Sequence, residues 1–152
     1  KCGYLIEARN LFEGLPEKDV KAWGAIISGY SSFGNYGMVL ECFVDMKKHG
    51  VKPDSAIFTC ILASCSHAGL LEEGENVFDE MCGFYCLTPI LEHYTCMIDL
   101  FARAGQSDQA KALLDKVSSS GSVPQFLVYS GCLSQVDDCE ALEMNILTIS
   151  IF

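Results

Sequence analysis

Nine cysteines and three histidines are the side chains here best suited to hold a metal or act as nucleophiles. Zinc chemistry of the nucleobase-deaminase kind needs His-x-Glu and Cys-x-x-Cys, because three ligands hold the ion and the glutamate moves the proton. His49, His67 and His93 are instead followed two residues on by Val51, Gly69 and Thr95. Cys82 and Cys86 stand as Cys-x3-Cys, the cysteine count is odd, and no Cys-x-x-Cys pair occurs. That pattern argues against zinc and against a disulfide framework alike. Cys65 and His67 lack a second ligand pair, so His67 is expected to face solvent. The acids Glu72, Glu73, Glu75, Asp79 and Glu80 share a predicted helix with Val77, Phe78 and Met81 on its opposite face, and read as a solvated outer surface. Lys47, Lys48 and Lys52 could touch phosphate or, equally, complement a helix C-terminus at ~0.3–1 kcal/mol each. No glycine-rich phosphate loop or nucleophile motif appears. The expectation is a chain with no metal and no other cofactor, and not an enzyme.

The elements that position these residues repeat. Glycines recur at Gly3, Gly34, Gly69 and Gly105, and eleven residues before the last three stand Trp23, Phe58 and Tyr94. Aliphatic pairs follow at Ile26-Ile27, Ile61-Leu62 and Met97-Ile98. After the glycines come Leu11, Phe12 and Leu15; Cys42, Phe43 and Met46; Val77, Phe78 and Met81; Leu113, Leu114 and Val117. Apolar positions at three- and four-residue steps, repeated at this period, mark a solenoid of helical hairpins. The units are expected at 1–19 (a second helix only), 20–54, 55–90 and 91–125, with 126–152 a decayed unit or a truncated extension. Helices are predicted near Ala22–Ser32, Tyr36–His49, Ala56–His67, Leu71–Cys82, Glu92–Arg103 and Ser107–Val117. Phe43, Phe78 and Leu114 should be buried between helices. Leu5, Leu11 and Leu15 should be partly bare, since their unit lacks its first helix. Most cysteines fall on small or apolar core positions, as Cys60 and Cys96 do opposite Ala25, and are read as structural thiols in a reducing compartment.

Charge and hydropathy set the outer bounds. The formal net charge of −10 argues against non-specific binding to nucleic acid, which wants a basic surface, though not against a reader working through base contacts. No apolar run approaches the ~18 residues that would span a bilayer, so no membrane partner is expected.

The stretches EARNLFEGLPEKDV, VLECFVDMKKHGVKPD, SCSHAGLLEEGENVFDEM and EHYTCMIDLFARAG resemble pentatricopeptide repeat proteins of the plant organellar type. Unequal unit lengths resemble the subclass that mixes short, standard and long repeats, and the last two stretches resemble its final repeats before a C-terminal extension. The resemblance implies an all-α, right-handed superhelical solenoid of antiparallel helix-turn-helix repeats. It implies binding of single-stranded RNA at about one base per repeat. It also implies a role in cytidine-to-uridine editing in a mitochondrion or chloroplast, with a deaminase or editing accessory protein as a possible partner in trans. By the same resemblance, bases would be read by the fifth residue of a unit and its last: Gly24 with Asp54, Thr59 with Ile90, and Thr95 with Gln125, with Asp19 closing the partial first unit. Gly24 offers no side chain and Ile90 no hydrogen bond, so these units depart from the family's usual combinations. A rival reading from the charge and those departures is a helical scaffold that binds protein. An enzyme, which the missing His-x-Glu argues against, is the third reading, and a fragmentary gene product without activity is the fourth.

Overall fold

A computed structural model describes residues 2–119, and Gln125 and the expected unit at 126–152 lie outside them. Seven α-helices follow in order: α1 Cys2–Glu13, α2 Val20–Ser32, α3 Tyr36–Lys48, α4 Ser55–Ala68, α5 Leu71–Asp79, α6 Leu91–Arg103 and α7 Ser107–Ser119. Among the described residues there is no strand. Local chemistry sets the helix starts. The Asp19 carboxylate accepts the Ala22 N–H at 2.8 Å, and the Asp54 carboxylate accepts the Ile57 N–H at 2.9 Å. Each satisfies one amide donor that a helix leaves free at its N-terminus.

One turn, used three times, joins the helices of each pair. Gly34, Gly69 and Gly105 have φ of 70°, 68° and 75°, the left-handed region that glycine enters without a Cβ clash. The residue after each glycine returns its N–H to a carbonyl five residues back: Asn35 to Tyr30, Leu70 to Cys65 and Gln106 to Phe101, each at 2.9 Å. This ties off the carbonyls of the finished helix and aims the chain into the next.

Packing follows the same period. Phe12 meets Trp23 edge-on with ring centroids 4.7 Å apart, Phe43 meets Phe58 at 5.6 Å, and Phe78 meets Tyr94 at 5.8 Å. Each second helix thus packs an aromatic against the first helix of the following unit. Ile27, Val39, Met46, Phe58, Ile61, Leu62, Cys65, Met81 and Leu100 are fully buried along this seam. Phe43 is buried as expected, but Phe78 and Leu114 are only half-buried. Leu11 is 74% exposed and Leu15 41%, bare as expected, while Leu5 is half-buried.

The second helix of the third unit departs from expectation. Its α-helical part ends at Asp79 rather than Cys82, and a π-helical turn continues over Glu80–Phe84. The acid face is not wholly solvated either. Lys47 Nζ lies 3.0 Å from both Glu80 oxygens, tying α3 to that turn, so Lys47 does not serve only the end of its own helix.

A candidate nucleic-acid interface on the first helices

Helices α2, α4 and α6 stand side by side, α4 in direct contact with both neighbours, whereas α3 and α5 make at most marginal contact with each other. The closer spacing of the first helices puts them on the inner side of the stack. Polar clips close this inner layer. Ser64 gives its hydroxyl proton to the Cys60 carbonyl at 2.7 Å, so Ser31 on α2 donates to Ser64 Oγ at 2.9 Å. The Ser66 hydroxyl on α4 donates to buried Asp99 on α6, whose carboxylate also accepts Arg103 Nε at 3.0 Å.

His93 is fully buried and stitches the same seam. Its Nδ1 accepts the Ile90 N–H at 3.1 Å, which leaves Nε2 protonated and donating to the Ser55 carbonyl at 3.0 Å. From inside the helix it satisfies the N–H of the N-cap residue Ile90, a different amide from those the Asp19 and Asp54 side chains accept in the other units, and sequence reading missed it. The signal available was an isoleucine where Asp19 and Asp54 stand in the other units.

The expected reading positions fall into two rows. Gly24, Thr59 and Thr95 are each the fifth residue of α2, α4 and α6, half-buried on successive inner helices. A Cβ at Gly24 would lie 3.7 Å from Ile57 Cγ1, so the position faces the seam between α2 and α4 and has room for a side chain. The Thr59 hydroxyl donates to the Ser55 carbonyl at 3.0 Å, and that of Thr95 to the Leu91 carbonyl at 2.9 Å. Both therefore present lone pairs rather than a proton. The second row is the N-caps: Asp19, Asp54 and Ile90 each immediately precede a first helix. Both aspartates are exposed, with one carboxylate oxygen committed to the cap, and Ile90 is 46% exposed.

The charge is unevenly spread. The three inner helices carry Lys21 and Arg103 against Glu92 and Asp99, an even balance. On α5 alone stand Glu72, Glu73, Glu75 and Asp79 with no cation. The thiols on the inner helices are quiet. Burial pushes Cys65 up to about 11 and Cys96 up to about 12, and raises Cys60, so none is a ready nucleophile at neutral pH. Among the described residues no group of three or more His, Cys, Asp or Glu could hold a metal ion.

Comparison with known proteins agrees with this architecture. The family model described as the PPR repeat matches residues 21–51, 56–86 and 92–122. A pentatricopeptide repeat-containing protein of Arabidopsis thaliana is 42% identical over 117 residues, covering 77% of this chain and 19% of its own length. A mitochondrial one from the same plant is 41% identical, covering 78% and 17%, and a chloroplastic one 44% identical, covering 72% and 15%. The chain therefore spans about a fifth of the length of these relatives, or less. Among solved structures, the pentatricopeptide repeat protein PPR10 in complex with an 18-nt psaJ RNA element superposes with a TM-score of 0.68 at 23% identity, over 80% of this chain and 18% of that one. PPR10 from maize gives 0.64 at 16% identity, over 88% and 20%. These likenesses establish the helical-repeat fold. With three matched repeats covering most of the described helices, the chain belongs to the pentatricopeptide repeat family.

Proposed function

We propose that this chain recognises single-stranded RNA and serves as the recognition part of an organellar RNA-processing protein, without catalysing a reaction itself. The observation that carries the reading is the inner layer of first helices. Its helices are balanced in charge although the chain is strongly acidic, with Asp19 and Asp54 adding two carboxylates at the N-caps, and it holds Gly24, Thr59 and Thr95 in register at one-repeat spacing. An acidic outside with a neutral inside keeps non-specific nucleic acid away while leaving base contacts possible. The finer reading is a stretch of the subclass with mixed repeat lengths, built of units 1–19, 20–54, 55–90 and 91–125. It would act in cytidine-to-uridine editing in a mitochondrion or chloroplast, with a deaminase or accessory protein supplied in trans. The names of the mitochondrial and chloroplastic relatives support the organellar part.

Within this reading the units are unequal. Gly24 leaves Asp54 to act alone, and Ile90 gives Thr59 an apolar neighbour. Thr95, with its lone pairs outward, is the strongest single reader and would favour a base edge that donates, with Gln125 as its partner. The test is a gel-shift series on short single strands comparing the parent with Thr95→Val, which is close in shape and lacks the hydroxyl. Loss of one such contact, worth ~1 kcal/mol, should weaken binding about five-fold. Tight binding to duplex RNA, or affinity untouched by Thr95→Val, favours the second reading, a protein-binding scaffold. The apolar Ile90 at a reading position and the net charge speak for that alternative.

A further inference from the structure

The unit 55–90 is one residue longer than 20–54, and the structure shows where the surplus goes. Counted from Gly34 and Gly69, the two second helices keep step through Phe43 with Phe78 and Met46 with Met81. The π turn then intervenes. The Leu87 N–H reaches the Met81 carbonyl six residues back at 3.0 Å, whereas in the shorter unit the Val51 N–H reaches Met46 five residues back at 3.2 Å. A π turn is the means by which a helix absorbs one extra residue, and such turns occur often at functional sites. Beyond it the units are in step again. Tyr85 packs on Phe58 at 5.4 Å as His49 packs on Trp23 at 5.5 Å. Cys86, at φ 52°, takes the left-handed conformation that Gly50 takes at 72°.

Three residues, Cys82, Gly83 and Phe84, stand between Met81 and Tyr85 where only Lys47 and Lys48 stand between Met46 and His49, and of the three the large apolar side chain is that of Phe84. It is 77% exposed, with its ring edge-on to Tyr85 at 4.9 Å. It stands over a cavity of about 350 Å³ lined by Lys47, Gly50, Val51, Lys52, Phe84 and Tyr85. Lys47 is already bound by Glu80 and lies 4.3 Å over the Phe43 ring, while exposed Lys52 has no carboxylate partner among the described residues. We propose that this pocket takes one unstacked nucleotide of a bound RNA strand, its base against the Phe84 ring and its phosphate on the Lys52 ammonium. The proposal rests on the RNA-recognition reading above. A sequence-tolerant nucleotide subsite is built from an aromatic face and a nearby cation, which is what Phe84 and Lys52 bring to one cavity. In a chain of net charge −10, an unpaired lysine beside a bare ring is a local match for an anion with a flat face. The cavity is at the small end of the ~300–1,000 Å³ usual for small-ligand clefts, and far short of a protein-sized footprint.

The experiment uses the full chain and short single-stranded RNA of mixed sequence carrying 2-aminopurine at single positions. Phe84→Ala should weaken binding roughly five-fold or more and abolish quenching of the stacked 2-aminopurine. Lys52→Gln should flatten the slope of log affinity on log salt by about 0.7, the loss of one phosphate contact on a single strand. Both side chains are exposed, and unchanged circular dichroism melts check that the fold is intact. If the parent binds RNA and both variants bind within two-fold of it with the same salt slope, the pocket proposal is overturned and the recognition reading stands. If the parent binds no single strand, both fall. A concentration-dependent dimer in sedimentation that Phe84→Ala abolishes would assign the patch to a second copy and likewise overturn the proposal.

Discussion

His93 shows how much a single residue carries in a stack this thin. Its two nitrogens join the cap of α6 to the first turn of α4, and nothing else in the seam offers Ile90 N–H an acceptor from within that helix. His93→Ala should cost roughly 1–3 kcal/mol, because it takes the acceptor from the partly buried Ile90 N–H, while the Ser55 carbonyl keeps the Thr59 hydroxyl as a donor. His93→Gln should cost less, since glutamine at the third helical position can still reach back to the cap amide. Urea titration of the three proteins measures the difference. A residue-level pH effect comes from the thiols. Burial raises Cys96 from the ordinary 9.0 to about 12 and Cys65 to about 11. Between those values and 9 the unfolded chain ionises while the folded one holds its protons. Stability is therefore complete below pH 9 and falls as pH rises from about 9 to about 12. Melting temperature against pH should show that decline, and Cys96→Ala should make it shallower. His93 was not legible in the sequence, because histidine is an uncommon cap. Cys60 and Cys96 were, because their register with Ala25 placed them on a small core position.

Helix ends were readable wherever a residue type has one physical reason to be there. Asp19 and Asp54 open α2 and α4, Gly34, Gly69 and Gly105 close the first helices, and these elements begin and end within about two residues of expectation. The exception is the π turn. The 36-residue spacing announces a surplus residue, but no residue type marks where the backbone widens, and the helix was read as ending at Cys82. The two glycines of α4 and α5 separate conformation from crowding. Gly69 sits at φ 68° with nothing within 4 Å of a built Cβ, so Gly69→Ala should cost only the left-handed penalty, about 1–2 kcal/mol. Gly74 has an ordinary helical backbone, but a Cβ there would collide with Leu100 Cδ2, part of a fully buried side chain. Gly74→Ala should cost about 1–3 kcal/mol through displaced packing, and Leu100→Ala in the same chain should relieve part of that cost. A double-mutant cycle by denaturant unfolding gives the coupling. No coupling would mean that α5 stands further from α6 than described.

At the scale of the whole molecule the organising fact is that each unit touches only its neighbours, so the two surfaces of the stack can carry different charge without conflict. The sequence shows the total of −10 but not its distribution; that needed the helices to be sorted into inner and outer rows. The register of Gly24, Thr59 and Thr95 as fifth residues of their units was legible in the spacing, and the structure sets each of them fifth in a first helix, with Asp19, Asp54 and Ile90 at the N-caps. If α5 acts on RNA only as a remote field, removing its charge should act on every sequence alike. Glu72→Gln with Glu75→Gln should raise affinity for single-stranded RNA at low salt by a similar factor for all strands tested. The gain should vanish above about 0.5 M salt, where the screening length falls to roughly 4 Å. Thr95→Val should behave in the opposite way, altering preference among strands and persisting at high salt, because a hydrogen bond to a base edge is local. The two sets of variants therefore form a crossed experiment on affinity and selectivity at two salt concentrations. A sequence-dependent gain from the glutamate pair that survives high salt would place RNA on the outer helices, and with it the candidate interface on the wrong side of the stack.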